Sequence, residues 1–398
     1  MNIHKNLTGG LLKYHRERLD ISQKELCDGI CVVSHLSKIE NNKVEPSDQI
    51  VDELFKKLGV NFFQDKNFIK NNKLKINRFF LNLNFSREVK DIFNDINKDR
   101  DKLLNSPLII DYILVESYSH INIPSNIKRL SELEIYMESE QLGWYYLLKA
   151  KHSNKISKVN QRELITRGNS LLRNSFSQLK LMYFELYQGQ FNKVIELNTE
   201  AINVALSEGN IMAIASVNLC MGNCYSAQSL YDLMLPHYER AINILTDIGK
   251  KDLISTINYN IGATYLENGQ YEESLYYLKE ANNEYLKDDD SLFLLYHKLA
   301  LLYLRLYKKE KAKDYIDKAK EVLELLLMDN NIYKNMIEVA ELQLDNDYLD
   351  NPVYLEELER LCKVLQSEYP RGFYLFHKRM LEELYCHLRQ YKKAYLIK

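Results

Sequence analysis

One pattern limits what this chain can fold into. The stretches "LMYFELYQGQFNKVIELNTEAINVA", "CMGNCYSAQSLYDLMLPHYERAINI" and "NIGATYLENGQYEESLYYLKEANNE" fall into register at a spacing of 40 residues. Gly189, Ser229 and Gly269 then coincide, as do Phe191, Tyr231 and Tyr271, and after them Ala201, Ala241 and Ala281. A fourth unit carries Tyr303, Ala312 and Ala319, and the C-terminal "EELYCHLRQYKKAY" restarts the pattern at Tyr385, Tyr391 and Ala394. Such a unit reads as a helical hairpin. Gly222, Gly262 and Ala300 are small enough for the first helix to approach its neighbour, Tyr225 and Tyr265 fill space between hairpins, and Ala241, Ala281 and Ala319 mark where the second helix crosses closely.

A stack of hairpins grows without closing a core, so the length of 398 residues does not by itself set the number of domains. Composition agrees with an all-helical chain: only 13 Gly and 6 Pro interrupt it. The hairpin unit resembles the tetratricopeptide repeat, whose period is about 34 residues, with each helix here longer. The resemblance is good over 175–320 and at the C-terminus; degenerate repeats are expected over 106–174 and 325–375. It implies a right-handed superhelix with a concave groove. Cys27/Cys31 and Cys220/Cys224 are spaced to share helix faces and read as buried thiols. The N-terminus has no apolar leader and no run approaches the ~20 apolar residues of a membrane span, so a cytoplasmic protein is expected.

Ahead of the repeats, Leu7 to Leu58 hold four short amphipathic blocks, predicted as helices at about 8–19, 23–30, 34–41 and 47–58. Ser22, Ser34 and Ser47 stand where N-caps belong. Gly9, Arg16, "SQKEL", Ile30, "VSHLSKIE" and the "PS" at 46–47 resemble the Cro and phage-repressor helix-turn-helix head. The resemblance implies an Arg16–Glu40 structural ion pair and a third helix lying in the DNA major groove. Val32, Val33 and His35 are then candidate base contacts, with Gln23, Ser34, Ser37 and Lys38 on phosphate or a nearby base. Residues 1–60 hold nine basic and nine acidic side chains, so one head alone should bind DNA weakly. Expected domains are the head at 1–62, linking helices at 63–105 and the repeats at 106–398.

This order of head and repeats resembles the peptide-pheromone receptors of Gram-positive bacteria, the PlcR, NprR, Rgg and Rap group. The resemblance implies a quorum-sensing transcription regulator: a homodimer on a palindromic operator in double-stranded DNA, controlled by a short signalling peptide held in the groove. Peptide contacts are expected from the groove-facing first helices, with Asn223 and Asn260 on the peptide backbone. Tyr259, Glu267, His297, Lys298 and Arg305 would select side chains or a terminal carboxylate. The alternative is a repeat-based adaptor, for example for a response regulator, whose head does not bind DNA. No phosphate loop, nucleophile elbow, zinc motif or clustered Cys/His set is present in the sequence, so neither an enzyme nor a cofactor or metal is expected.

Overall fold

The computed structural model describes residues 5–41, 43–152, 157–281, 288–325, 331–368 and 371–397. It is all-α, with no strand among the described residues, and it divides into two compact units, Met1–Leu181 and Met182–Lys398.

The first unit begins with α1 (Lys5–Arg18), α2 (Gln23–Cys27), α3 (Val33–Glu40) and α4 (Asp48–Lys57). It continues through α5 (Lys66–Asn84), α6 (Lys90–Asn97), α7 (Arg100–Leu104), α8 (Ile109–Tyr118) and α9 (Ile123–Leu133). After a 3-10 turn at Glu134–Tyr136 come α10 (Ser139–His152) and α11 (Lys158–Leu172), and the division falls inside α12 (Ser175–Tyr187). Leu11, Leu26, Leu36, Ile39 and Phe55 of the head are continuous in one core with Ile76 and Phe79 of α5 and Ile113 of α8. The segment expected to link head and repeats thus supplies α5 to α7, which bury Ile76, Phe79, Phe80, Phe93, Ile96 and Leu103. Two polar contacts reinforce the apolar ones. Tyr14 Oη donates to Glu132 at 3.1 Å, and Lys73 meets the buried Asp111 at 2.9 Å, whose Oδ1 also accepts from Gln141.

The second unit holds α13 (Phe191–Glu208), α14 (Ile211–Ser226), α15 (Tyr231–Asp247), α16 (Lys251–Glu267) and α17 (Tyr271–Glu280). It ends with α18 (Asp289–Arg305), α19 (Lys309–Leu325), α20 (Asn331–Leu342), α21 (Pro352–Glu368), α22 (Arg371–His387) and α23 (Tyr391–Ile397). Pairs α14/α15, α16/α17 and α18/α19 are the hairpins predicted by the repeat. The conformation of the turn explains the 40-residue alignment. Gly189, Ser229 and Gly269 all have left-handed φ, at 67°, 59° and 75°, which reverses the chain between the paired helices. Tyr307 and Arg389 take the same conformation in the later turns, at a cost that glycine avoids.

The small residues act as expected. A Cβ on Gly222 would lie 2.5 Å from the Tyr238 ring, and one on Gly262 would lie 2.9 Å from the Leu278 backbone nitrogen. Ala241, Ala281 and Ala319 are buried. The aromatics differ from expectation: Tyr225 packs on His237 and Tyr265 on Tyr277, so each ring meets the second helix of its own hairpin as well as filling space beyond it. Cys27, Cys220, Cys224 and Cys362 are buried free thiols, whereas Cys31 is half-buried and Cys386 exposed.

Candidate functional site

In the head, sequence and geometry agree at the ends of α2 and α4. Ser22 Oγ accepts from Glu25 N while Glu25 Oε2 accepts from Ser22 N, a reciprocal cap, and Ser47 Oγ accepts from Ile50 N. Ser34 is not a cap. α3 starts at Val33 with Val32 as N-cap and no side-chain bond, which leaves the Ser34 hydroxyl on the exposed first turn. Leu36 and Ile39 anchor the inner face of α3, and Val32 (68% exposed), Val33 (42%), Ser34 and Lys38 are turned outward. His35 and Ser37 are half-buried beside them.

Arg16 and Glu40 fix α3 to α1. The guanidinium donates from Nε at 2.6 Å and from Nη2 at 2.9 Å to the two carboxylate oxygens, and Nη1 donates to Ile21 O at 3.1 Å. Glu40 is 3% exposed. Its Oε2 also accepts from Gln23 Nε2 at 2.7 Å, so the Gln23 amide is held inside the head rather than presented outward with the other candidates.

In the second unit a cavity of about 320 Å³ opens between the first helices of the hairpins and α22. Five of the seven expected groove residues line it: Asn223, Tyr259, Asn260, Glu267 and Lys298. The two asparagines form a pair. Asn223 Oδ1 accepts from Asn260 Nδ2 at 3.0 Å and from the buried Tyr238 hydroxyl at 2.7 Å. With that oxygen occupied, Asn223 Nδ2 is left to donate and Asn260 Oδ1 to accept, which is the complement of one peptide group. Ser226 and Thr264 share a hydrogen bond of 2.6 Å on the same wall.

The same lining carries charge. Arg379 of α22 donates to Glu267 at 3.1 Å and also to Ser229 Oγ. Lys298 is 5% exposed and its Nζ lies 2.9 Å from the centroid of the Phe376 ring. Burial lowers the Lys298 pKa to about 7 against the pull of Glu267, and burial raises the Glu267 carboxyl against Lys298 and Arg379.

Two expected groove residues lie elsewhere. His297 is inside the core, stacked on Phe293 and 5.9 Å from the His377 ring, and burial holds its pKa well below the usual value. Arg305 borders a second cavity of about 230 Å³ and pairs with Glu383 at 2.7 Å. Conversely Tyr238, Phe376 and Arg379 line the main cavity without having been anticipated.

The chain is thus an all-helical protein with a helix-turn-helix head and stacked repeat hairpins around a cavity. The helix-turn-helix family matches residues 12–63, and the tetratricopeptide repeat family matches residues 213–283. The transcriptional activator NprA of Geobacillus stearothermophilus is 24% identical over 322 residues, 76% of this chain and 78% of that protein. Among solved structures, a Rap protein complexed with competence and sporulation factor aligns with TM-score 0.65 and 14% identity, over 82% of this chain and 96% of that one. NprR in complex with its cognate peptide NprX aligns with TM-score 0.62 and 14% identity, over 83% of this chain and 98% of that one. These matches give the chain a helix-turn-helix and tetratricopeptide repeats, a sequence similarity to NprA, and the fold of the Rap and NprR structures.

Proposed function

We propose that this protein is a cytoplasmic transcription regulator of the quorum-sensing kind, which binds a palindromic DNA site as a homodimer and is controlled by a short peptide in the second-unit cavity. The observation that carries the reading is the Asn223–Asn260 pair, fixed by Tyr238 on a cavity wall, in a chain that also displays an exposed helix of the helix-turn-helix type. Homology to a transcriptional activator supports the same reading, as does a fold shared with NprR in complex with a peptide. Among the described residues no helix is long and apolar enough to cross a membrane. At about 320 Å³ the cavity is near the lower end of the roughly 300–1,000 Å³ typical of ligand pockets, so it would take part of a peptide while the rest follows the groove.

In this mechanism the peptide binds one arrangement of the repeats more tightly than another, and so shifts how a dimer offers two copies of α3 to half-sites about 34 Å apart. Val32 and Val33 would pack on thymine methyl groups, and Lys38 and Ser34 would hold phosphates. Replacing Lys38 and Ser34 together with alanine is expected to lower affinity for promoter DNA about tenfold and to reduce the slope of log affinity against log salt by about one. Fluorescence anisotropy over a salt series measures both. An unchanged affinity and slope would remove α3 as the DNA surface.

The balanced charge of the head favours a second reading, in which the repeats serve as a protein adaptor and the head only docks. Footprinting separates the two. A regulator protects a defined palindrome, while an adaptor gives only sequence-independent binding that salt abolishes.

A further inference from the structure

We infer that the second-unit cavity selects peptides that carry a carboxylate, seated between Lys298 and Arg379 beside the Phe376 ring. This rests on the peptide-receptor reading above and adds to it the chemistry of the ligand.

The argument starts from an imbalance of charge. Lys298 and Arg379 bring two cations to the cavity lining, and among the described residues Glu267 is the one acidic side chain that lines it. Glu267 is already engaged by Arg379 at 3.1 Å. Lys298 makes no hydrogen bond or ion pair among the described residues, although it is almost wholly buried and faces the cavity. The Phe376 ring lies 2.9 Å from its Nζ and attracts a cation, and Glu267 pulls on the same charge, but neither supplies the hydrogen bonds that an ammonium loses on leaving water. An ammonium placed in this way is stabilised by an incoming anion. Burial also lowers the Lys298 pKa to about 7, and a carboxylate beside the ammonium would hold its proton in place.

The neighbours do not offer an alternative role. His297, one position earlier on α18, is buried in the core and kept neutral, so it contributes neither charge nor contact to the lining. A cationic peptide would have to displace Arg379 from Glu267 and would still face Lys298. A peptide with no acid group would bind without giving Lys298 a hydrogen-bonding acceptor. The Asn223–Asn260 pair lines the same cavity and is suited to a backbone peptide group, so a carboxylate near Lys298 and a backbone contact at the asparagines can be made by one short ligand.

The test uses the full chain and synthetic hexapeptide pools, recovered by equilibrium dialysis and counted by mass spectrometry. Four pools combine the presence or absence of Asp and Glu with a free or amidated C-terminus. Retention should be at least about tenfold higher in pools that carry a carboxylate than in the amidated, acid-free pool. The pool that loses retention identifies the source: amidation for a terminal carboxylate, removal of Asp and Glu for a side chain. Lys298→Met, which keeps the buried volume, should abolish the preference while peptides remain bound, and Lys298→Arg should restore it. Equal retention of all four pools, or a preference unchanged in Lys298→Met, overturns the inference while leaving the peptide-receptor reading intact. Retention of no pool at all contradicts that reading and the inference together.

Discussion

Replacing Glu40 with alanine is expected to destabilise the first unit by about 3–5 kcal/mol, because the change removes a buried carboxylate that accepts two hydrogen bonds from the half-buried Arg16 guanidinium. Arg16 donates to Glu40 from two nitrogens at 2.6 and 2.9 Å, and Gln23 adds a third bond to the same carboxylate at 2.7 Å. Alanine leaves all three donors without that carboxylate, and Arg16 keeps the Ile21 carbonyl and the exposed Glu17 carboxylate 3.6 Å away. The pair itself is worth less than its rupture costs, since bringing two charges out of water offsets much of their attraction. A double replacement, Arg16→Met with Glu40→Leu, is therefore expected to cost clearly less than Glu40→Ala alone. Urea denaturation followed by circular dichroism measures both variants. A loss below about 1 kcal/mol for Glu40→Ala would show that the pair does not secure α3.

The second large effect is expected in the repeats. Tyr238 is fully buried on α15, its ring fills the space that Gly222 leaves open on α14, and its hydroxyl holds Asn223. Tyr238→Ala should destabilise the second unit by about 3–5 kcal/mol, because the cavity left behind adds to the lost transfer free energy. Tyr238→Phe keeps the ring and removes only the hydrogen bond, at about 0.5–1.5 kcal/mol. The milder variant is the more informative for function. Without the hydroxyl, Asn223 can turn its amide over, so the pair no longer presents one fixed donor and one fixed acceptor. Peptide affinity should then fall although the fold survives. Thermal denaturation and peptide titration of the same sample test the two effects, and a Phe variant with unchanged affinity would remove Tyr238 as the group that sets the pair.

Much of the fold is legible in the sequence because its period has a local cause. A left-handed turn residue recurs at 189, 229 and 269, and small residues recur at 222 and 262 where helices touch. Register on the first helices likewise places Asn223, Tyr259, Asn260, Glu267 and Lys298 together on the cavity. The same register misplaces His297. Adjacent residues on a helix point about 100° apart, and here the turn from Lys298 back to His297 carries the imidazole into the core beside Phe293 and His377.

Arg379 is beyond this kind of reading. It reaches Glu267 across 112 residues, from a helix where the repeat pattern has faded. The position of Gln23 in the head points to DNA, while the hydrogen bond of its amide to Glu40 depends on a helix 17 residues further on and is visible only in the geometry. Ser34 is displaced from the cap for a smaller reason, since the N-cap of α3 is Val32, two residues before the serine.

The central claim is that a peptide bound in the second unit controls how the head meets DNA. The most direct measurement is the affinity of the full chain for promoter DNA beside its gene, titrated by anisotropy with and without a saturating short peptide encoded nearby. The account predicts a shift in operator affinity of about tenfold or more in the wild type, and no shift in Asn260→Ala at the same peptide concentration. Peptide that binds with full affinity while operator affinity stays the same would contradict it.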